Sequence, residues 1–260
     1  MSAPLLDVQR LTTVFEGRAG SLVAVDDVSF TLGAGETLGL VGESGSGKTL
    51  TALSLLRLVQ PPGRIAAGRV LFEGRDLLAL GEEELRRVRG ARIGLVFQEA
   101  SAALNPVFTI GNQLAEVLAV HGLAAGKSAR ERAIELLDAV RIGDPRHRAD
   151  DYPHQLSGGM RQRVLIAMAI ACRPALVIAD EPTASLDATV QAGILALLAE
   201  MRQAFGLSLL LITHDFRIIA GIADRVAVMQ RGRLVEQGPV RDVVGNPSHP
   251  YTQALVSATL

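Results

Sequence analysis

The sequence predicts an α/β protein built on a parallel sheet with helices on both faces, preceded by an antiparallel β subdomain and interrupted by a helical lobe. Three observations predict it. From 158 to 230 the chain alternates helix-length segments with short apolar runs at 176–179, 208–213 and 226–230, the order that buries a parallel sheet between helices. Residues 5–41 read instead as strands separated by turn formers, Gly17-Arg18-Ala19-Gly20 and Gly33-Ala34-Gly35-Glu36. Between 99 and 153, helix-forming segments are broken at Asn105-Pro106, Gly122 and Gly143-Asp144-Pro145.

Taken in order, strands are expected at 5–14, 23–32 and 37–41, then a breaker-free helix at 50–56. Gln60-Pro61-Pro62-Gly63 interrupts the chain before a short strand at 68–72, a charged exposed helix at 82–88 and a strand at 93–97 that ends at Gln98. In the lobe, 110–121 and 128–140 carry apolar residues at helical spacing. Ile134, Leu137 and Val140 share one side, with Arg130, Glu131 and Arg132 on the other. Helices at 158–172, 188–205 and 216–223 then alternate with the three apolar runs. In the first of these, Met160, Val164, Ala167 and Ala171 fall on one face, which marks core.

A chain of 260 residues that is 48% hydrophobic and 20% charged can bury a substantial core, which excludes the disordered class. Its formal net charge of −1 argues against a broad nucleic-acid footprint. Cys172 is the single cysteine, so there is no internal disulfide and no Cys-rich zinc or iron–sulfur cage, and a reducing intracellular location is the simplest reading. The first residues lack the basic flank and apolar run of a secretory signal. No stretch approaches the roughly 20 apolar residues of a membrane helix, so a membrane role would come through a partner.

The chemistry concentrates at Gly42-Glu43-Ser44-Gly45-Ser46-Gly47-Lys48-Thr49, which fits G-x-x-x-x-G-K-[ST] and lies between a strand and a helix beginning near Leu50. The glycines let successive amides turn toward a polyphosphate, Lys48 reaches the terminal phosphates, and the Thr49 hydroxyl is a ligand for Mg²⁺. An apolar strand ends in Asp180 and Glu181, one suited to organising Mg²⁺ and the other to polarising a water for in-line attack. His214 and Gln98 likewise follow apolar strands, at the edge where a parallel sheet meets its ligand. Gln98 could touch both the metal's water shell and the lobe that follows it, as a relay. Leu156-Ser157-Gly158-Gly159-Met160-Arg161-Gln162-Arg163 supplies a second capped, glycine-rich helix start, more than one nucleotide needs.

In this order, the phosphate loop, Gln98, Leu-Ser-Gly-Gly-Met, Asp180-Glu181, Ser185-Leu186-Asp187 and His214 resemble the ATP-binding subunit of an ABC transporter, over essentially the whole chain. The resemblance implies a P-loop NTPase core at 1–98 and 161–245, a helical lobe with the signature motif at 99–160, and a tail at 246–260. It implies two ATP molecules held head to tail in a dimer. Gly42 to Leu50 of one subunit would face Ser157, Gly158 and Gly159 of the other, Asp187 would cross the interface, Phe15 would stack on adenine, and Glu181, His214 and Gln98 would serve catalysis. Phe97-Gln98-Glu99, Leu104-Asn105-Pro106, Tyr152-Pro153-His154-Gln155 and Pro247-Ser248-His249-Pro250-Tyr251-Thr252 look like the dipeptide/oligopeptide/nickel import branch. That branch implies two transmembrane permease subunits, a second ATP-binding subunit, identical or paralogous, and an extracytoplasmic solute-binding protein, with this chain on the cytoplasmic face of the inner membrane and no nucleic acid bound. Peptide-type members often continue into a Cys-rich tail, and the sequence ending at Leu260 leaves nickel or a metal chelate as the alternative cargo. Two other classes compete: an ABC-type ATPase acting on DNA or ribosomes, which usually carries a long coiled coil or a duplicated cassette, and a metabolic kinase, which would leave 156–160 without a purpose.

Overall fold

The structure, a computed structural model, describes residues 3–17, 20–97, 103–184 and 186–259. The chain divides into two compact units, Met1–Leu85 with Ser208–Leu260, and Arg86–Leu207.

The first unit holds an antiparallel sheet in the order β2-β1-β4-β5, from β1 (Leu6–Gly17), β2 (Gly20–Leu32), β4 (Gly63–Phe72) and β5 (Arg75–Asp76). Inward residues alternate along β2, with Val28, Phe30 and Leu32 buried and their neighbours facing out, as a half-buried strand requires. A second set of strands runs β10 (Arg233–Pro239), β9 (Arg225–Gln230), β3 (Thr37–Val41), β8 (Ser208–Thr213). β3 pairs in parallel with both β8 and β9, and every residue of β3 and β8 is buried, the mark of central strands covered on both faces. Gly39 of β3 leaves room for Ile219 of helix α8 (Phe216–Ile222), since a Cβ there would lie 2.5 Å from the Ile219 Cδ1. The remaining helices of this unit are α1 (Lys48–Leu55), α9 (Val240–Gly245) and α10 (Pro250–Thr259).

Helix α2 (Glu82–Val88) leads into the second unit. There β6 (Ile93–Val96) and β7 (Leu176–Asp180) pair in parallel, with Val96 opposite Ala179. The helices are α3 (Ile110–Val120), α4 (Gly126–Ala139), α5 (Pro145–Arg148), α6 (Gly158–Ile170) and α7 (Ala188–Phe205), with a 3₁₀ turn at Pro153–Gln155. The central helix α6 packs on β6, α3, α4 and α7. Gly94 lets the backbone of α6 approach β6, because a Cβ there would collide with the Ala169 carbonyl. Its apolar side chains Val164, Ile166, Ala167 and Ile170 are almost wholly buried.

The α/β class holds, and the predicted helices at 82–88 and 188–205 and the strands at 37–41 and 208–213 are found with those bounds. Other ends differ by a residue or several: β4 begins five residues before the expected strand, and α1 begins at Lys48 itself. β10, α9 and α10 have no counterpart in the sequence reading. β10 is an antiparallel edge strand whose residues are exposed or half-buried, so it lacks the apolar run that announces a central strand.

Candidate functional site

Strand β3 delivers the chain to Gly42 at the carboxyl edge of the parallel strands, and the glycines then turn it sharply. Gly47 has φ +105, and a Cβ there would lie 2.6 Å from the Ala24 carbonyl oxygen and 2.8 Å from the Met229 Cε, so the position has no space for a side chain. The Ser46 amide donates to the Glu43 carbonyl at 3.1 Å, and the Ser46 carbonyl accepts from Gly232 at 2.9 Å. Lys48 opens α1 and turns back into its own loop. Its Nζ donates to the carbonyls of Gly42 at 2.7 Å and Glu43 at 2.9 Å, and lies 3.4 Å from the Ser46 Oγ. Only 5% of Lys48 is exposed. The N-terminal end of α1 adds its partial positive charge beside the Lys48 ammonium, so the loop attracts an anion. Around it, Glu43, Ser44, Gly45 and Thr49 are exposed and Leu50 is half-buried.

His214 belongs to the same edge by register. Val41 stands opposite Thr213, so Gly42 and His214 leave β3 and β8 together, and the histidine is exposed. Asp215 next to it caps α8 by accepting the Arg217 amide at 2.8 Å. The Arg217 guanidinium also grips Asp215, and that hydrogen bonding holds the carboxyl below its ordinary range. Phe15 lies in β1 opposite Leu22 and Gly63, half-buried, with its ring where a Cβ on Gly63 would be.

In the second unit Asp180 ends β7 with 5% of its surface exposed, and Glu181 follows with φ +45. That left-handed backbone is uncommon for a residue with a side chain and costs about 1 kcal/mol or more, which the turn secures through the Ala184 amide donating to the Glu181 carbonyl at 3.0 Å. Ser157 is exposed and caps α6, its Oγ accepting the Met160 amide at 3.3 Å. Asp187 caps α7 by accepting the amides of Thr189 and Val190 at 3.1 and 3.0 Å. The two helix starts meet. A Cβ on Gly159 would lie 2.5 Å from the Val190 Cγ1, and one on Gly158 would lie 3.4 Å from Leu186. Ser157, Gly158, Gly159 and Asp187, read separately from the sequence, are thus brought together in this unit. Gln98 and Ser185 lie outside the described residues.

Among the described residues no group of three or more His, Cys, Asp or Glu could hold a metal by itself. Single oxygen donors, the Thr49 hydroxyl and the Asp180 carboxylate, suit Mg²⁺, which keeps several waters and takes much of its shell from phosphate.

Sequence reasoning missed two residues that act on the loop. The Glu43 amide donates to the Tyr251 Oη at 3.0 Å. Glu236 of β10 accepts from the Ser248 amide at 2.8 Å, the Ser248 hydroxyl at 2.8 Å and the His249 amide at 3.0 Å, anchoring the start of the tail that carries Tyr251. Burial alone would raise the Glu236 carboxyl, but the Ser248 amide, the Thr252 hydroxyl, the His249 amide and the Ser248 hydroxyl outweigh it and hold the group at about 2. The only sequence signal was the tail motif around Tyr251, which names a resemblance and no contact.

A glycine-turned loop with a buried lysine, set between a central parallel strand and a helix, defines a P-loop nucleotide-binding protein. The family follows from comparison with known proteins: residues 25–184 match the ABC transporter family model, and the chain belongs to that family as an ATP-binding ATPase. A Brucella melitensis biotype 1 protein named "Putative peptide import ATP-binding protein" is 52% identical over 259 residues, 97% of this chain and 77% of that one. One of the same name from Brucella abortus strain 2308 is 52% identical over 257 residues, 99% of this chain and 77% of that one. Among solved structures, an ATP-binding cassette in a dimeric post-hydrolysis state bound to ADP and Pi superposes with a TM-score of 0.81 at 27% identity, covering 91% of this chain and 99% of that one. So does cbiO1 of Clostridium perfringens, described as part of the ABC transporter complex cbiONQ, with a TM-score of 0.78 at 27% identity over 94% of this chain and 92% of that one.

Proposed function

We propose that this ATPase powers a bacterial importer of dipeptides or oligopeptides. The observation that carries the reading is the near-complete match, at about half the residues identical, to relatives named for peptide import. No finding favours nickel over peptide. The chain works from the cytoplasmic face of the membrane, a location supported by its likeness to importer ATP-binding proteins; no helix among the described residues is long and apolar enough to cross the membrane. Two permease subunits carry the solute, a second ATP-binding subunit completes the dimer, and an extracytoplasmic solute-binding protein delivers the cargo. The dimeric cassette and the cbiONQ subunit among the structural relatives support the pairing of ATP-binding subunits within a transporter complex. Within the chain, 1–98 and 161–245 form the nucleotide-binding core, 99–160 the lobe and 246–260 the tail. A docking role for the lobe is supported by Val107 and Phe108, 71% and 50% exposed on a turn that the Gln113 side chain ties through the Asn105 amide and the Asn105 and Phe108 carbonyls.

In this reading Gly42 to Leu50 hold the phosphates of ATP, with the Lys48 ammonium meeting the terminal phosphates, and Phe15 faces the adenine. Mg²⁺ bound through Thr49, Asp180 and Gln98 would neutralise phosphate charge. Glu181 takes a proton from the attacking water, His214 steadies the γ-phosphate, and Gln98 relays occupancy to the lobe. Ser157, Gly158 and Gly159 bind the ATP of the opposite subunit, and Asp187 reaches across the dimer.

The test is purification of the chain from its native membranes, followed by a binding screen of the solute-binding protein that accompanies it. Two permeases, a second ATPase and a solute-binding protein that takes peptides are expected. A binding protein that takes nickel or a chelate and no peptide would overturn the cargo, and a chain recovered on DNA or ribosomes would overturn the importer.

A further inference from the structure

The peptide group joining Gly42 to Glu43 is bonded at both ends. Its carbonyl accepts the Lys48 ammonium at 2.7 Å, and its N–H donates to the Tyr251 Oη at 3.0 Å, from a residue 208 positions further along the chain. A peptide that donates its N–H becomes a better acceptor at its carbonyl, so the two bonds reinforce one another. Turning the plane would break both. Glycine at position 42 offers no side chain to resist such a turn, so the resistance comes from these two bonds, and the Tyr251 bond reaches the loop from outside it.

Tyr251 is well placed to supply it because the tail is fixed on both sides of it. Ahead of it, Glu236 takes the Ser248 and His249 donors, the Gln253 Nε2 donates to the Pro247 carbonyl at 3.0 Å, and the Tyr251 amide donates to the His249 Nδ1 at 3.2 Å. Behind it, Thr252 is fully buried and α10 packs on α8. The phenol is half-buried and its hydroxyl meets the loop through one amide.

We propose that Tyr251 is a positioning residue for nucleotide binding: its hydroxyl fixes the Gly42–Glu43 peptide plane, which seats the Lys48 ammonium where the polyphosphate arrives. The proposal rests on the reading of 42–49 as the phosphate cradle. A loop ordered beforehand has less freedom to lose when ATP binds, so removing the hydroxyl weakens affinity without touching the groups that act on water.

The experiment compares wild type, Tyr251→Phe and Lys48→Ala as full chains, by ATP titration and by hydrogen exchange at the Glu43 amide, with kcat and KM measured in the assembled transporter. Tyr251→Phe should raise the ATP Kd and KM about three- to tenfold, the weight of one hydrogen bond, with kcat and the melting temperature unchanged and Glu43 exchanging faster. Wild-type Kd and Glu43 exchange in Tyr251→Phe, beside a large loss in Lys48→Ala, would overturn the positioning role and leave the cradle standing. Unchanged ATP affinity in Lys48→Ala would overturn the cradle reading and the proposal with it. A fall in affinity accompanied by a lower melting temperature would mark a packing role and also overturn it.

Discussion

Replacing Glu236 with Gln should release the tail while leaving the rest of its unit folded. In the native structure the carboxylate accepts two amides and a hydroxyl at 2.8–3.0 Å, and its carboxyl stands at about 2 against an ordinary 4.5. A drop of that size sets a ceiling of roughly 3 kcal/mol on what the ionised form contributes. Glu236 is partly open to solvent, and screening brings the figure to about 1–2 kcal/mol. Gln keeps one acceptor oxygen but loses the charge, so most of that amount disappears. Tail opening is a local event, and the assay is hydrogen exchange of the α10 amides at neutral pH, where an increase of about 5- to 30-fold is expected. The pH dependence has a definite sign. The docked state holds the carboxyl low and therefore binds fewer protons than the released state, so the stabilisation is complete above about 4.5 and is lost as the pH falls toward 2. Wild-type α10 should lose its protection across that window and the Gln variant should show little change there. Equal α10 protection in the two proteins at neutral pH would refute the anchor.

Glu181→Gln should retain ATP binding but slow hydrolysis by about 10²- to 10⁴-fold, the usual weight of a general base, and should accumulate a closed dimer on gel filtration with ATP; wild-type turnover would remove Glu181 from that role. Ser157→Arg places a long side chain at an exposed position, so its folding cost is confined to the lost α6 cap, about 1 kcal/mol. It should abolish hydrolysis while the isolated chain binds ATP as before, and an equal loss of binding by the monomer would contradict a segment that serves the opposite subunit.

The parts of the site legible in the sequence are those whose chemistry is written locally. A glycine, a lysine and a threonine at fixed spacing between strand and helix specify a phosphate-loop turn, and the structure adds that Lys48 donates to the loop's own carbonyls. Apolar runs ending in Asp180 and in Thr213-His214 likewise carry their own position, because the end of a buried parallel strand is the edge of the sheet. What was not legible depends on partners distant in sequence. β10 carries exposed Arg233 and Gln237 and half-buried Glu236 along an edge, and its pairing with β9, not an apolar run, makes it a strand. Nothing near Tyr251 or Glu43 announces the other, and the left-handed backbone of Glu181 arises from the turn it enters and leaves no mark in composition.

Several contacts that shape the phosphate loop come from its own unit: the Ala24 carbonyl and the Met229 side chain beside Gly47, the Gly232 amide on the Ser46 carbonyl, and Tyr251 on the Glu43 amide. Two of them are backbone groups of neighbouring strands and turns, which no side-chain substitution can delete. The Tyr251 hydroxyl is the side-chain hydrogen bond among them, and a substitution can remove it without rebuilding the sheet. The candidate acid–base group Glu181 and the Ser157–Gly159 segment belong to the other unit. Substitutions along the tail should therefore be felt in how tightly ATP is held, and substitutions at Glu181 in how fast it is cleaved. A tail variant that changed turnover at saturating ATP while leaving affinity alone would mean that Tyr251 reaches the chemistry by a route other than the Gly42–Glu43 peptide.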